Sequence, residues 1–104
     1  MYLKVKLNVG DRMMTLSILP KEGNIITIRL IRELISKLGL RDTELEQFEV
    51  KQTPEGLMFN EKGREQIEFE MSEVETELIR GSLKELDSKN KLIPDMIPIW
   101  EKFC

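Results

Sequence analysis

The sequence predicts a small α+β domain, helices plus a short antiparallel sheet, in the winged-helix-like order β-α-α-α-β-β-β-α-α. Three observations carry that expectation. Apolar residues alternate with lysine or glutamate in short stretches, which is the period of a half-buried strand. Elsewhere they recur at three- and four-residue intervals, which is the period of one helical face. Capping motifs and Gly/Pro turns separate these stretches. With 104 residues, the chain is long enough for one core and too short for two, so residues 1–104 are read as a single domain.

Leu3, Val5 and Leu7 alternate with Lys4, Lys6 and Asn8, which places a strand at about residues 2–8. Asp11 is set to cap a short helix from Arg12 to Leu19, stopped by Pro20. Met14, Leu16 and Ile18 also alternate as a strand would, but methionine and leucine favour helix. After a loop at Lys21 to Asn24, Ile28, Ile31, Leu34, Ile35 and Leu38 mark one face of the clearest helix in the first half. Thr27 is its expected N-cap, and Gly39 its left-handed C-terminal residue. Thr43 and Glu46 form a capping box that opens a third, short helix.

Phe48 and Val50, then Leu57 and Phe59, flank the turn Thr53-Pro54-Glu55-Gly56 and predict a hairpin. A polar loop from Asn60 to Arg64 follows. Ile67, Phe69 and Met71 alternate with Glu68 and Glu70, giving another strand with one wet face. Ser72 and Glu75 form a second capping box, opening a helix through about Asp87 with Val74, Leu78, Ile79, Leu83 and Leu86 as its apolar residues. Gly81 interrupts that helix at a cost of about 1 kcal/mol relative to alanine and is read as the mark of a close approach by another element. Asp95 is the expected cap of a last short helix carrying Met96, Ile99, Trp100 and Phe103.

Apolar residues make up 40% and charged residues 34%, a balance that can bury a core and still solvate a surface. No apolar run approaches the roughly 18 residues needed to span a bilayer, and the first residues lack a signal-like apolar stretch, so no membrane partner is expected. The one cysteine, Cys104, excludes an internal disulfide and points to the cytoplasm. Histidine is absent, which removes the commonest general base and the commonest metal ligand together. Glu73 and Glu77 stand four apart on a helix and Glu68 and Glu70 share a strand face, but among 19 acidic residues such spacings arise by chance. No phosphate-binding glycine loop occurs. The expectation is therefore a non-enzymatic protein with no catalytic residue, no metal and no cofactor.

The net charge of −3 is unevenly divided. Residues 1–41 carry 8 basic and 3 acidic side chains, and residues 42–104 carry 8 basic and 16 acidic. Either the two halves pack with complementary fields, or each forms a face for its own partner. Two surfaces follow from the second reading. Lys4, Lys6, Arg29, Arg32 and Lys37 are the candidate nucleic-acid surface of a winged-helix-like regulator. Against it, the third helix, where a recognition helix would lie, offers Asp42, Glu44, Glu46 and Glu49 and no basic residue. Glu68, Glu70, Glu73, Glu77, Trp100 and Phe103 are the candidate protein interface, although Trp100 and Phe103 equally suit docking of the last helix on the core.

A further pattern runs through Ile18-Leu19-Pro20-Lys21-Glu22-Gly23-Asn24, Arg32-Glu33-Leu34, Phe48-Glu49-Val50-Lys51-Gln52, Ile67-Glu68-Phe69-Glu70 and Trp100-Glu101-Lys102-Phe103. It resembles small proteins of unassigned activity encoded by bacteriophages and prophages. The resemblance implies a phage-derived origin and expression in a bacterial cytoplasm, and supplies no catalytic or ligand residue. The functional expectation is an accessory protein-interaction module that binds a protein partner, or itself, through its acidic C-terminal half. The alternative is a DNA- or RNA-binding regulator that uses the basic N-terminal half.

Overall fold

The computed structural model describes residues 2–54 and 56–104. Its elements run β1 (Tyr2–Leu7), α1 (Val9–Ser17), α2 (Ile25–Leu38), α3 (Asp42–Gln47), β2 (Lys51–Thr53), β3 (Gly56–Met58), β4 (Ile67–Ser72), α4 (Glu73–Ser88) and α5 (Ile97–Phe103). Short 3-10 helices at Glu61–Arg64 and Pro94–Met96 precede β4 and α5. The fold is α+β, with the helices and strands in the expected order.

β1 and β4 pair antiparallel, with Leu3 opposite Met71, Val5 opposite Phe69 and Leu7 opposite Ile67 on one face. Alternation then puts Lys4 opposite Glu70 and Lys6 opposite Glu68 on the other. β2 and β3 form a separate hairpin that does not join this sheet. The winged-helix-like order is thus present without one sheet shared by all the strands.

The core lies on the inner face of β1–β4. Val5, Leu7 and Met71 meet Leu34 and Leu38 of α2, Ile79 and Leu83 of α4, and Ile99 and Phe103 of α5 in one cluster. The stripe predicted on α2 is narrower than its spacing suggests. Leu34 and Leu38 are fully buried, whereas Ile35 is 51% exposed and Ile25 and Ile26 more so. Val74, expected on the apolar face of α4, is likewise exposed.

Several boundaries move for local hydrogen-bonding reasons. α1 starts at Val9 because Asn8, not Asp11, is its N-cap: Asn8 Oδ1 accepts from the Asp11 N–H at 2.8 Å while Asp11 Oδ2 accepts from the Asn8 N–H. Asn24 caps α2 by accepting from the Thr27 N–H, so Thr27 lies inside the helix. Gly39 is extended at φ −63°, ψ 148°, not left-handed. α3 begins at Asp42, where Glu44 accepts from the Arg41 N–H, and the Thr43–Glu46 box is not its start. Phe48 closes α3 as a buried residue, and Glu49 takes a positive φ of 50°, so the hairpin begins only at Lys51. Glu55, in the predicted turn, lies outside the described residues. Asp95 sits within a 3-10 turn and makes no cap, but Ser72 and Glu75 form the expected box at the start of α4. Gly81 has no close neighbour at all: a Cβ added there meets nothing within 4 Å.

Three cationic side chains tie distant segments together. Arg12, 3% exposed, donates to the C-terminal carbonyls of α2 (Leu38 O at 2.9 Å, Gly39 O at 3.1 Å), pairs with Glu44 at 2.9 Å and lies over the Phe69 ring. Lys37 of α2 donates to Glu70 O on β4 and to Glu75 on α4. Lys102 of α5 reaches Lys6 O on β1 and pairs with Asp11 of α1 at 3.0 Å.

Candidate functional site

Of the residues singled out by sequence, Lys4, Lys6, Glu68 and Glu70 share the outer face of β1–β4, and Glu73 and Glu77 lie on the first turns of α4, which follows β4 directly. Tyr2, Lys4, Lys6, Glu68 and Glu70 are all exposed, with each lysine opposite a glutamate across the strands. Opposite charges in that arrangement attract by about 0.2 to 1 kcal/mol per pair. The basic row is therefore matched by an acidic row from the other half of the chain.

The pairing also fixes which backbone groups point outward. In an antiparallel pair, alternate residues exchange hydrogen bonds and the others turn their N–H and C=O to the free edge. Lys6 O is held by Lys102 and Glu70 O by Lys37, so Lys4 and Lys6 face outward on β1, and Glu68, Glu70 and Ser72 on β4. β4's edge is closed at two places. Lys37 covers Glu70 O, while Glu75 and Thr76 take the Ser72 N–H and C=O.

Beside β1 on the core side, Tyr2 and Leu3 line a groove of 270 Å³ with Glu73, Thr76, Glu77 and Arg80 of α4. Glu73 and Glu77 are exposed, and Arg80 pairs with Glu77 at 3.1 Å while also donating to Phe103 O. At the start of α4 lies the Lys37–Glu75 pair. Glu75 is 3% exposed; its Oε1 accepts from Lys37 at 2.7 Å and from the Ser72 N–H at 2.8 Å, and its Oε2 has no hydrogen-bond partner among the described residues. Burial acts to raise its pKa, but the Lys37 and Ser72 hydrogen bonds outweigh it and hold the carboxyl below the ordinary value.

The remaining candidates lie elsewhere. Lys37 is engaged with Glu75 and β4, so it does not extend a basic surface; Arg29 and Arg32 lie exposed on α2. Phe103 is 1% exposed in the core and is not available as an interface residue. Trp100 is half-buried against that core and borders a second groove with Leu92, Ile93, Met96 and Ile97. Among the described residues, no three acidic or thiol side chains converge to hold a metal ion, and no helix is long and apolar enough to cross a membrane.

Sequence reasoning missed Leu3, Thr76 and Arg80, which border the groove, and Arg12, which braces the elements around it. Leu3 looked like any other core position on its strand. Only the pairing of β1 with β4 brings it beside α4. No protein-family model, curated protein or solved structure matches the chain.

Proposed function

We propose that the chain is a small non-enzymatic interaction module that binds a protein partner through its acidic C-terminal half, using Glu68 and Glu70 on the outer face of β4 and Glu73 and Glu77 beside the β1–α4 groove. The observation that carries this reading is the matching of Lys4 with Glu70 and Lys6 with Glu68. A polyanion approaching the lysines meets a parallel row of carboxylates, whereas a protein surface can complement both signs at once. A role as a phage or prophage accessory protein in a bacterial cytoplasm belongs to the same reading and rests on the sequence resemblance.

The second reading, a nucleic-acid-binding regulator, draws on Lys4, Lys6, Arg29 and Arg32, which are exposed and outside the ion pairs of the described residues. Four cations, two of them facing glutamates across the strands, are few beside the roughly 6 to 10 phosphate contacts of a strong binder.

The test is affinity capture from bacterial lysate, with and without nuclease, using the natural chain and a Glu73→Lys/Glu77→Lys variant. The interaction reading expects nuclease-resistant capture that the variant loses. Capture abolished by nuclease, or random-duplex binding tighter than about 10⁻⁶ M with a steep salt slope, would replace it with the second reading.

A further inference from the structure

We propose that the outer edge of β1 is a strand-addition site for an extended partner segment in which acidic and apolar residues alternate. The proposal rests on the interaction reading above for a protein partner, and adds to it a contact made by Lys4 and Lys6 of the N-terminal half, distinct from the contact made by the glutamates of α4. Of the sheet's two edges, that of β4 is occupied at Glu70 O and at Ser72, which leaves Glu68 alone with both outward groups free among the described residues. On β1, Lys102 holds Lys6 O, but the outward N–H and C=O of Lys4 have no partner among the described residues. An unpaired strand edge of this kind offers main-chain hydrogen bonds to an incoming strand, while the flanking side chains choose its sequence.

The preferred sequence can be read from β1's existing neighbour. β4 presents Glu70 and Glu68 to Lys4 and Lys6, and turns Met71 and Phe69 to the opposite face. A strand on the outer edge would lie about 4.8 Å away, as β4 does on the inner edge. Its residues opposite Lys4 and Lys6 would therefore project beside the same two lysines and are best acidic. The intervening residues would project to the core side, toward Leu3 and Thr76 in the groove bordered by Glu73, Glu77 and Arg80, and are best apolar.

A second copy of β1 does not fit. Antiparallel pairing centred on Lys4 would set Lys4 against Lys4, and like charges directly opposite are unfavourable. The same lysines that discourage self-pairing thus favour an acidic strand. Because Lys102 closes the far end of the edge, the contact is short, in the class of weak, reversible recognition.

The probe is a fluorescently labelled heptapeptide alternating glutamate and valine, titrated into the full chain by anisotropy and compared with a copy N-methylated on the nitrogens that face β1. The expected result is saturable binding that falls about tenfold or more on N-methylation and again with Lys4→Glu. The Lys4 amide should also become protected from hydrogen exchange on saturation. Because Lys4→Glu also sets a glutamate opposite Glu70, Lys4→Gln serves as the control: its melt should stay within a few degrees of the natural chain and its peptide binding should still fall. Equal binding of the N-methylated peptide, or a Lys4 amide that exchanges as fast with peptide as without, would overturn strand addition. So would the absence of binding at millimolar peptide. If Glu73- and Glu77-dependent capture persists in that last case, the interaction reading stands and this edge is not its site.

Discussion

Arg12 shows how much one side chain contributes in this fold. Its guanidinium donates to Leu38 O and Gly39 O, satisfying carbonyls that the end of α2 would otherwise leave unpaired, and its fork also grips Glu44 at the start of α3. The Arg12 hydrogen bonds are the largest influence holding the Glu44 carboxyl below its ordinary pKa. Replacement by alanine leaves the Leu38 and Gly39 carbonyls without their donor and a half-buried Glu44 with only the Arg41 N–H, and should cost about 2 to 4 kcal/mol. Arg12→Lys should recover little of this, because an ammonium cannot donate along three fixed directions. Urea denaturation of both variants checks this, and a lysine variant close to wild type would contradict it. Nothing in the sequence distinguished Arg12 from the other seven basic residues of the first 41, because its partners lie 26 to 32 residues away. Lys4, Lys6, Glu68 and Glu70, by contrast, were legible as wet-face residues from alternation alone. That they face one another was not, because register between distant strands leaves no local signature.

Among the elements, α4 is the one read best and also the one that holds the clearest engineering opening. Its capping box, its length and its buried Ile79 and Leu83 follow from the sequence pattern. Its glycine does not have the role expected of it. With open space around Gly81 and ordinary helical geometry, Gly81→Ala should stabilise the protein by about 0.4 to 1 kcal/mol, which is a rise in Tm of several degrees for a chain of this size. A calorimetric scan of the variant decides it. No change, or a loss, would mean that the exposed glycine is needed for a contact in solution. The helix starts were misplaced for a common physical reason: Asn8 and Asp11, or Asn24 and Thr27, are both good capping residues three positions apart, and the backbone chose the earlier one each time. The hairpin was placed early because Phe48 and Val50 alternate as strand residues do, while Phe48 is in fact buried at the end of α3.

At the scale of the whole molecule, the lopsided charge becomes a set of ties between the two halves. Arg12–Glu44, Lys37–Glu75 and Lys102–Asp11 each join a residue of the first 41 to one beyond it. Glu44 and Glu75 have folded pKa values below the ordinary 4.5, so the unfolded chain binds more protons in acid. The stability they supply is complete above about pH 4.5 and is lost as pH falls through their lower folded values. The urea midpoint should therefore hold between pH 7 and 5 and decline below about 4.5. Glu75→Gln, which weakens the tie to Lys37, should lower stability at pH 7 by about 1 to 3 kcal/mol and flatten the acid decline. Variant and wild-type curves that stay parallel would show that Glu75 is not among the groups responsible.

The pairing of β1 with β4 also has a consequence in time. Strand β1 is made before its partner, which follows about sixty residues later, a delay of about 3 to 12 seconds at a translation rate of about 5 to 20 residues per second. Lys102, which braces the far end of β1, emerges later still. Throughout that interval Leu3, Val5 and Leu7 form an unpaired apolar strand in the crowded surroundings of the ribosome. The interleaved Lys4 and Lys6 are then its guards against pairing with the wrong chain, before they acquire any role in the finished protein.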